Sequence, residues 1–221
     1  MIKSLDMKSL NIGKSHGHDY SNWAYKLLEY YPINYDPNIY KNKCSWWIEK
    51  IPNIADKIMS VGSWSGLAEI WIKLNFPEKD VVCTEINPVV CHFLKTRLYF
   101  FNLLNKIPVY VEDGFDLKGF PDKCKDLIFH DGLLEHFEES DRIKLLTENL
   151  RVAKKVLVIV PTSACLDSDD GGYGDERSYS ETLWSEFMHS YFVVEEEFSN
   201  KENNHYGCIL TDVKSTYDLG F

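Results

Sequence analysis

Five short runs of apolar, mostly β-branched residues punctuate the chain, at 57–61, 81–85, 109–112, 126–130 and 156–160. They are apolar on both faces rather than alternating, the pattern of strands buried between two helical layers. Segments of helical period fill the intervals. Residues 88–104 place Val90, Phe93, Leu94, Arg97, Leu98 and Phe101 at helical spacing, with Pro88 suited to the first turn. Ser140 predicts the cap of a helix running toward Leu150, and Ser178 with Glu181 forms a capping-box pattern ahead of Leu183, Trp184, Phe187 and Met188. Two extended runs at 192–198 and 206–213, joined by the turn-rich SNKENN, predict a terminal hairpin. The alternation predicts an α/β fold: a mostly parallel sheet with helices on both faces and an antiparallel hairpin at its C-terminal end.

The 221 residues, 44% of them hydrophobic, suffice for one such domain plus an extension. Residues 53–221 carry the α/β pattern and residues 1–52 do not. In the extension, Asp19 or Ser21 can cap a helix that repeats Trp23, Ala24, Leu27, Leu28 and Tyr31 until Pro32, and a second short helix carries Trp46, Trp47 and Ile48. This aromatic stripe either packs on the domain or closes over a ligand as a lid, and the two roles are compatible.

Charge narrows the partners. The net charge is −10 with no run of lysine or arginine, so the electrostatic footprint of a phosphate-backbone binder is missing. Six cysteines, at 44, 83, 91, 124, 165 and 208, form no C-x-x-C pair and no metal spacing, which points to reduced thiols and a cytoplasmic setting. The opening MIKSLDMKSLNIGK lacks the apolar core of a signal peptide, and no aliphatic run is long enough to span a bilayer. The loop at 166–176 has a calcium-like look, but Gly171 and Ser178 stand where an EF-hand needs ligands. His16-Gly17-His18-Asp19 has no partner cluster, so no metal is expected.

The first strand-like run breaks at Gly62 and Gly66 into a turn that opens a helix, and Glu85 ends the next run. Glycines there let a ligand lie against the main chain, with free helix N–H groups facing it. A carboxylate at the tip of the second strand can accept both hydroxyls of a ribose. The dinucleotide fingerprint fails, because Trp64 and Leu67 occupy its second and third glycine positions. Asp113-Gly114 follow the third run, and DLIFHDGLLEHF spans the fourth.

With these segments the chain resembles the class I S-adenosylmethionine-dependent methyltransferases, in particular their small-molecule branch, over about residues 54–213. The resemblance implies a Rossmann-like, seven-stranded sheet, S-adenosyl-L-methionine as cofactor and a small-molecule acceptor. Carried over by position, it implies that Gly62, Ser63, Trp64 and Gly66 form the cofactor loop. Glu85 and Ile86 then take the ribose, Asp113 the adenine amino group with Gly114 and Phe115 beside the ring, and His130 borders the cofactor. Two positions depart from the family pattern: Ser60 replaces the acid that helps hold the methionine amine, and Trp64 replaces a central glycine. The family's nucleic-acid amine methylators carry a proline-rich aromatic motif after the fourth strand, where this chain has His130-Asp131-Gly132.

A methyl sulfonium is already activated, so catalysis is mainly alignment and exclusion of water. A general base is needed only for a protonated oxygen or nitrogen. His136, His130 and Asp131 lie at the carboxyl end of the fourth strand, where ligands gather in open α/β sheets, and are the catalytic candidates. Packing alone would also explain either histidine. A cofactor-binding regulatory or inactive relative, or a nicotinamide-dependent reductase, would share much of this pattern, and homodimer formation stays open.

Overall fold

In the computed structural model the described residues are Leu27, 29–163 and 179–215. β1 (Lys57–Val61) buries every residue but its first, because it runs through the middle of a seven-stranded sheet. β2 (Asp80–Glu85), β3 (Val109–Val111), β4 (Lys125–Asp131) and β5 (Ala153–Pro161) join it in parallel, and β6 (Phe192–Asn200) and β7 (His205–Val213) pair antiparallel at one edge. The sheet order is β3-β2-β1-β4-β5-β7-β6. β1 and β4 are neighbours although β2 and β3 intervene in sequence, so the chain reverses its direction of travel across the sheet between them. Such a switch point opens a crevice at the carboxyl ends of the strands.

Among the described residues five longer helices cover the faces: α1 (Pro37–Ile48), α2 (Leu67–Asn75), α3 (Pro88–Phe100), α4 (Glu139–Val152) and α5 (Glu181–Tyr191). Single turns occur at Ile51–Ile54 and Leu134–His136. Among the described residues a large apolar core forms on each face of the sheet. One gathers Met59, Ile128, Val156 and Val158 with Leu146, Trp184 and Met188; the other gathers Ile58, Val81, Leu127 and Leu157 with Ile70, Leu94, Trp47 and Ile48. Strand residues of adjacent sequence position thus feed opposite faces, the period of two that a doubly covered sheet requires.

The element bounds differ from the sequence expectation where caps decide them. α3 stops at Phe100, short of 104, because Asn102 takes φ 56° and the Leu103 N–H turns back to the Leu98 carbonyl. α4 begins from Glu138, whose carbonyl accepts from Asp141 and Arg142, so Ser140 falls inside the first turn rather than at the cap. Ser180 caps α5 by accepting from the Leu183 N–H at 3.2 Å. Ser178, the predicted cap, lies outside the described residues, as do the loop at 166–176, Cys165, most of the helix expected around residues 19–31 and the His16–Asp19 segment. The described part of that first helix is limited to Leu27, Glu29 and Tyr30. The described cysteines are free. Among the described residues no helix is long and apolar enough to cross a membrane.

Candidate active site

The loop after β1 is tied down on both sides. The Ser63 N–H and hydroxyl both donate to the Thr84 carbonyl, at 3.1 Å each, and the Thr84 hydroxyl returns a bond to the Ser60 carbonyl at 2.7 Å. Gly62 takes φ +68°, a conformation that only glycine adopts freely, and an added Cβ would sit 3.4 Å from Leu133. Gly66 has φ +67° and caps α2, but it does not line the cavity described below. A Cβ there would meet Leu94 at 2.0 Å, so the missing side chain lets α2 pack closely against α3.

Glu85 closes the ring from β2. Its carboxylate accepts from the Trp64 N–H at 3.2 Å and the Asn87 N–H at 3.0 Å, while Asn87 caps α3 by accepting from Val89 and Val90. Burial raises the Glu85 pKa, and the N–H groups around it oppose that rise. Each oxygen keeps a lone pair for a further donor.

Trp64, in the position of the missing glycine, has φ 38°. A bulky residue held there stores on the order of 1–2 kcal/mol of strain. Packing around the side chain offsets it: the indole lies in a cluster with Leu27, Val89, Val90 and Phe93, and meets Tyr31 edge-on at 5.3 Å. The aromatic residue therefore couples the N-terminal segment to the loop. Arg97 does the same from α3, donating to the carbonyls of Ser65, Tyr31 and Pro32.

These groups surround a cavity of about 390 Å³ at the carboxyl ends of β1, β2 and β4, within the range of small-molecule sites. Of the sequence candidates, Gly62, Ser63, Trp64, Glu85, Ile86, Asp113, Gly114, Phe115, His130, Asp131 and His136 all line it. The Phe115 N–H donates to Asp113 at 3.0 Å, and an added Cβ on Gly114 would sit 2.6 Å from Val61, so that turn also needs its glycine.

Several lining residues were not anticipated. Tyr40, on α1, donates to Asp131 at 3.2 Å, 91 positions away in sequence. Tyr31, Cys44, Trp47, His205 and Glu69 also line the cavity. Glu69 had a signal that went unread, a lone acid within the apolar helix LAEIWIKLN. Tyr40, Cys44 and His205 had none, since only the tertiary fold brings them to β4.

Burial sets the ionisation of the wall. His130, 1% exposed, has both ring nitrogens without a hydrogen-bond partner, and burial lowers its pKa to about 3. It is a neutral imidazole at physiological pH. Burial raises the Asp131 carboxyl, opposed by His205 and by the Tyr40 hydroxyl. It also pushes Tyr31 and Cys44 up to about 12, so both stay protonated. His136 lies beside Glu135, with Nε2 3.9 Å from a carboxylate oxygen. Among the described residues no group of three or more His, Cys, Asp or Glu is arranged to hold a metal ion.

Residues 59–159 match the family described as a methyltransferase domain. This part of the chain is a methyltransferase domain. The match begins within β1 and ends within β5, so it takes in the loop, Glu85, Asp113 and the His130-Asp131 pair. Solved structures share the architecture around the domain. A Pyrococcus horikoshii protein superposes with a TM-score of 0.67 at 16% identity, over 84% of this chain and 95% of its own. An S-adenosylmethionine-dependent methyltransferase from Aquifex aeolicus gives 0.63 at 17% identity, over 87% and 98%. Mitomycin 7-O-methyltransferase gives 0.58 at 16% identity over 72% of this chain, which spans about half (49%) of that enzyme. At these identities the likeness is one of fold: the seven-stranded sheet of the methyltransferase domain with its terminal antiparallel pair. No curated protein matches the chain.

Proposed function

We propose that the protein transfers a methyl group from S-adenosyl-L-methionine to an oxygen or nitrogen atom of a small-molecule acceptor. The observation that carries this reading is the cavity of the methyltransferase domain. It brings the Gly62–Ser65 loop, the Glu85 carboxylate and the Asp113–Phe115 turn to one wall and His130, Asp131 and His136 to another. The residues present fit the cofactor. Glu85 has lone pairs for two ribose hydroxyls, Gly62 and Gly114 leave room at the main chain, and Asp113 borders the turn where an adenine amino group can donate.

When bound, the cofactor supplies the activated methyl sulfonium. The chain supplies position and dryness. Tyr31, Tyr40 and Trp47 close the cavity from the N-terminal side, which supports treating residues 1–52 as a cover over the 53–221 domain. Asp131 and His136 are the groups suited to take a proton from the acceptor's O–H or N–H, Asp131 because burial has raised its carboxyl. His130, neutral and with two unmade hydrogen bonds, is suited to orient the acceptor through them.

Titration calorimetry with S-adenosylmethionine, S-adenosylhomocysteine, NAD and NADP tests the assignment. The first two should bind and the nicotinamide cofactors should not. Binding of a nicotinamide cofactor alone would overturn the assignment in favour of a nicotinamide-dependent reductase. Strong binding without transfer to any acceptor in a cell extract, followed with labelled methyl, would favour the non-catalytic reading that Ser60 and the strained Trp64 invite.

His130 has its own test. A buried polar group left without a partner costs about 1–3 kcal/mol, so His130→Leu should raise stability at neutral pH by about 1 kcal/mol while impairing transfer. Its folded pKa lies below the unfolded 6.5, so above pH 6.5 both states are neutral there, and stability is lost as pH falls from 6.5 toward 3 because only the unfolded chain takes up the proton. Denaturation of the leucine variant should show a flatter loss over that window. A destabilised variant would mean that the imidazole is held by packing and serves the fold.

A further inference from the structure

Glu69 lies on α2, three residues past Gly66, and is 2% exposed, yet it lines the cavity. It belongs to the methyltransferase domain but to none of the positions assigned above. Around it stand the hydroxyls of Ser60 and Ser63, themselves 2.5 Å apart, and its own backbone N–H. Among the described residues no cation lies within ion-pair distance of it. Arg97, whose charge is felt at Glu69, gives its guanidinium hydrogen bonds to the carbonyls of Ser65, Tyr31 and Pro32. Burial accordingly pushes the Glu69 carboxyl up to about 7. A carboxyl buried on a cavity wall without a cation is unfavourable as an anion until one arrives.

The chemistry of the cavity says which cation. Among the described residues its wall contains no lysine or arginine, and Glu69 and Glu85 touch one and the same loop, Glu69 at Ser63 and Glu85 at Trp64. A ligand anchored by its ribose at Glu85 and carrying an amino-acid arm has one ammonium to place. Ser60, at the end of β1, offers only a hydroxyl, and its neighbour across that hydroxyl is the Glu69 carboxyl.

We propose that Glu69, reaching in from α2, is the carboxylate that takes the α-ammonium of the cofactor's methionine arm, in place of an acid on β1. This rests on the reading of the cavity as an S-adenosylmethionine site. Glu69 is a positioning residue: by fixing the arm it fixes the sulfonium, and it touches no reacting atom.

Titration calorimetry separates the two claims. The probes are S-adenosylhomocysteine, its desamino analogue and 5′-methylthioadenosine, which keeps the nucleoside and lacks the amino-acid arm. The proteins are wild type, Glu69→Gln and the exchange Ser60→Asp/Glu69→Ser. Glu69→Gln should weaken S-adenosylhomocysteine at least tenfold while leaving 5′-methylthioadenosine and the desamino analogue unchanged, and the exchange variant should recover most of the lost affinity. Unaltered S-adenosylhomocysteine binding by Glu69→Gln overturns the proposal, as does an equal loss for all three probes, which would make Glu69 part of the fold. If the wild-type protein binds none of them, the cofactor assignment itself fails, and the proposal falls with it.

Discussion

Replacing Glu85 by alanine is expected to weaken S-adenosylhomocysteine binding by about a hundredfold or more. Two losses combine. The ribose hydroxyls lose a charged acceptor, and hydrogen bonds to charged groups are worth roughly 1.5–3 kcal/mol. The Trp64 and Asn87 N–H groups, bonded to this carboxylate at 3.2 and 3.0 Å, lose their acceptor as well. Trp64 is already in a strained conformation, so its loop has reason to relax when the bond is gone. Together these amount to about 3 kcal/mol, and each 1.4 kcal/mol is tenfold in affinity. Glu85→Gln, which keeps one acceptor oxygen, should fall between. Calorimetry reads the effect directly, and an alanine variant of unchanged affinity would remove the ribose from this position.

The largest expected effect on stability belongs to Arg97. This residue is 2% exposed, and burial lowers its pKa to about 10, which still leaves it charged at neutral pH. Its guanidinium serves the Ser65 carbonyl beneath the cofactor loop and the Tyr31 and Pro32 carbonyls of the N-terminal segment. Arg97→Leu strips all three of their donor, so a loss of about 3 kcal/mol is expected. For a domain of this size that lowers the melting temperature by roughly 6–12 °C. Exchange of the Tyr31 amide, bonded to the Leu27 carbonyl at 2.9 Å, should quicken in the same variant. A melting temperature within a degree or two of wild type would show that Trp64 packing alone holds the segment.

The strands, their order of appearance and the terminal hairpin were legible in the sequence, because runs apolar on both faces can be satisfied only between two helical layers. The glycine positions at 62 and 114, and Glu85 and Asp113, were legible because each depends on a local backbone requirement at a strand end. The helix ends were less so: Ser140 looked like a cap, and a carbonyl two residues earlier accepts the first helical bonds instead.

What the sequence by itself determined is therefore the sheet, its doubly covered faces and the one edge of the cavity built from local turns. The tertiary structure decided the rest. Gly66 reads as a ligand glycine in sequence, yet Leu94 from α3 fills the space beneath it. Tyr40 meets Asp131 only because the packing of α1 brings it to the end of β4, and Glu69 meets Ser60 only because the loop after β1 turns α2 back over the strand end. His130 stands out in the sequence as a catalytic candidate, but only its burial leaves both ring nitrogens without partners and the imidazole neutral. The reason is the same in each case. Backbone requirements are local and recur wherever a turn of that kind forms, whereas burial and ionisation depend on what distant segments place around a side chain.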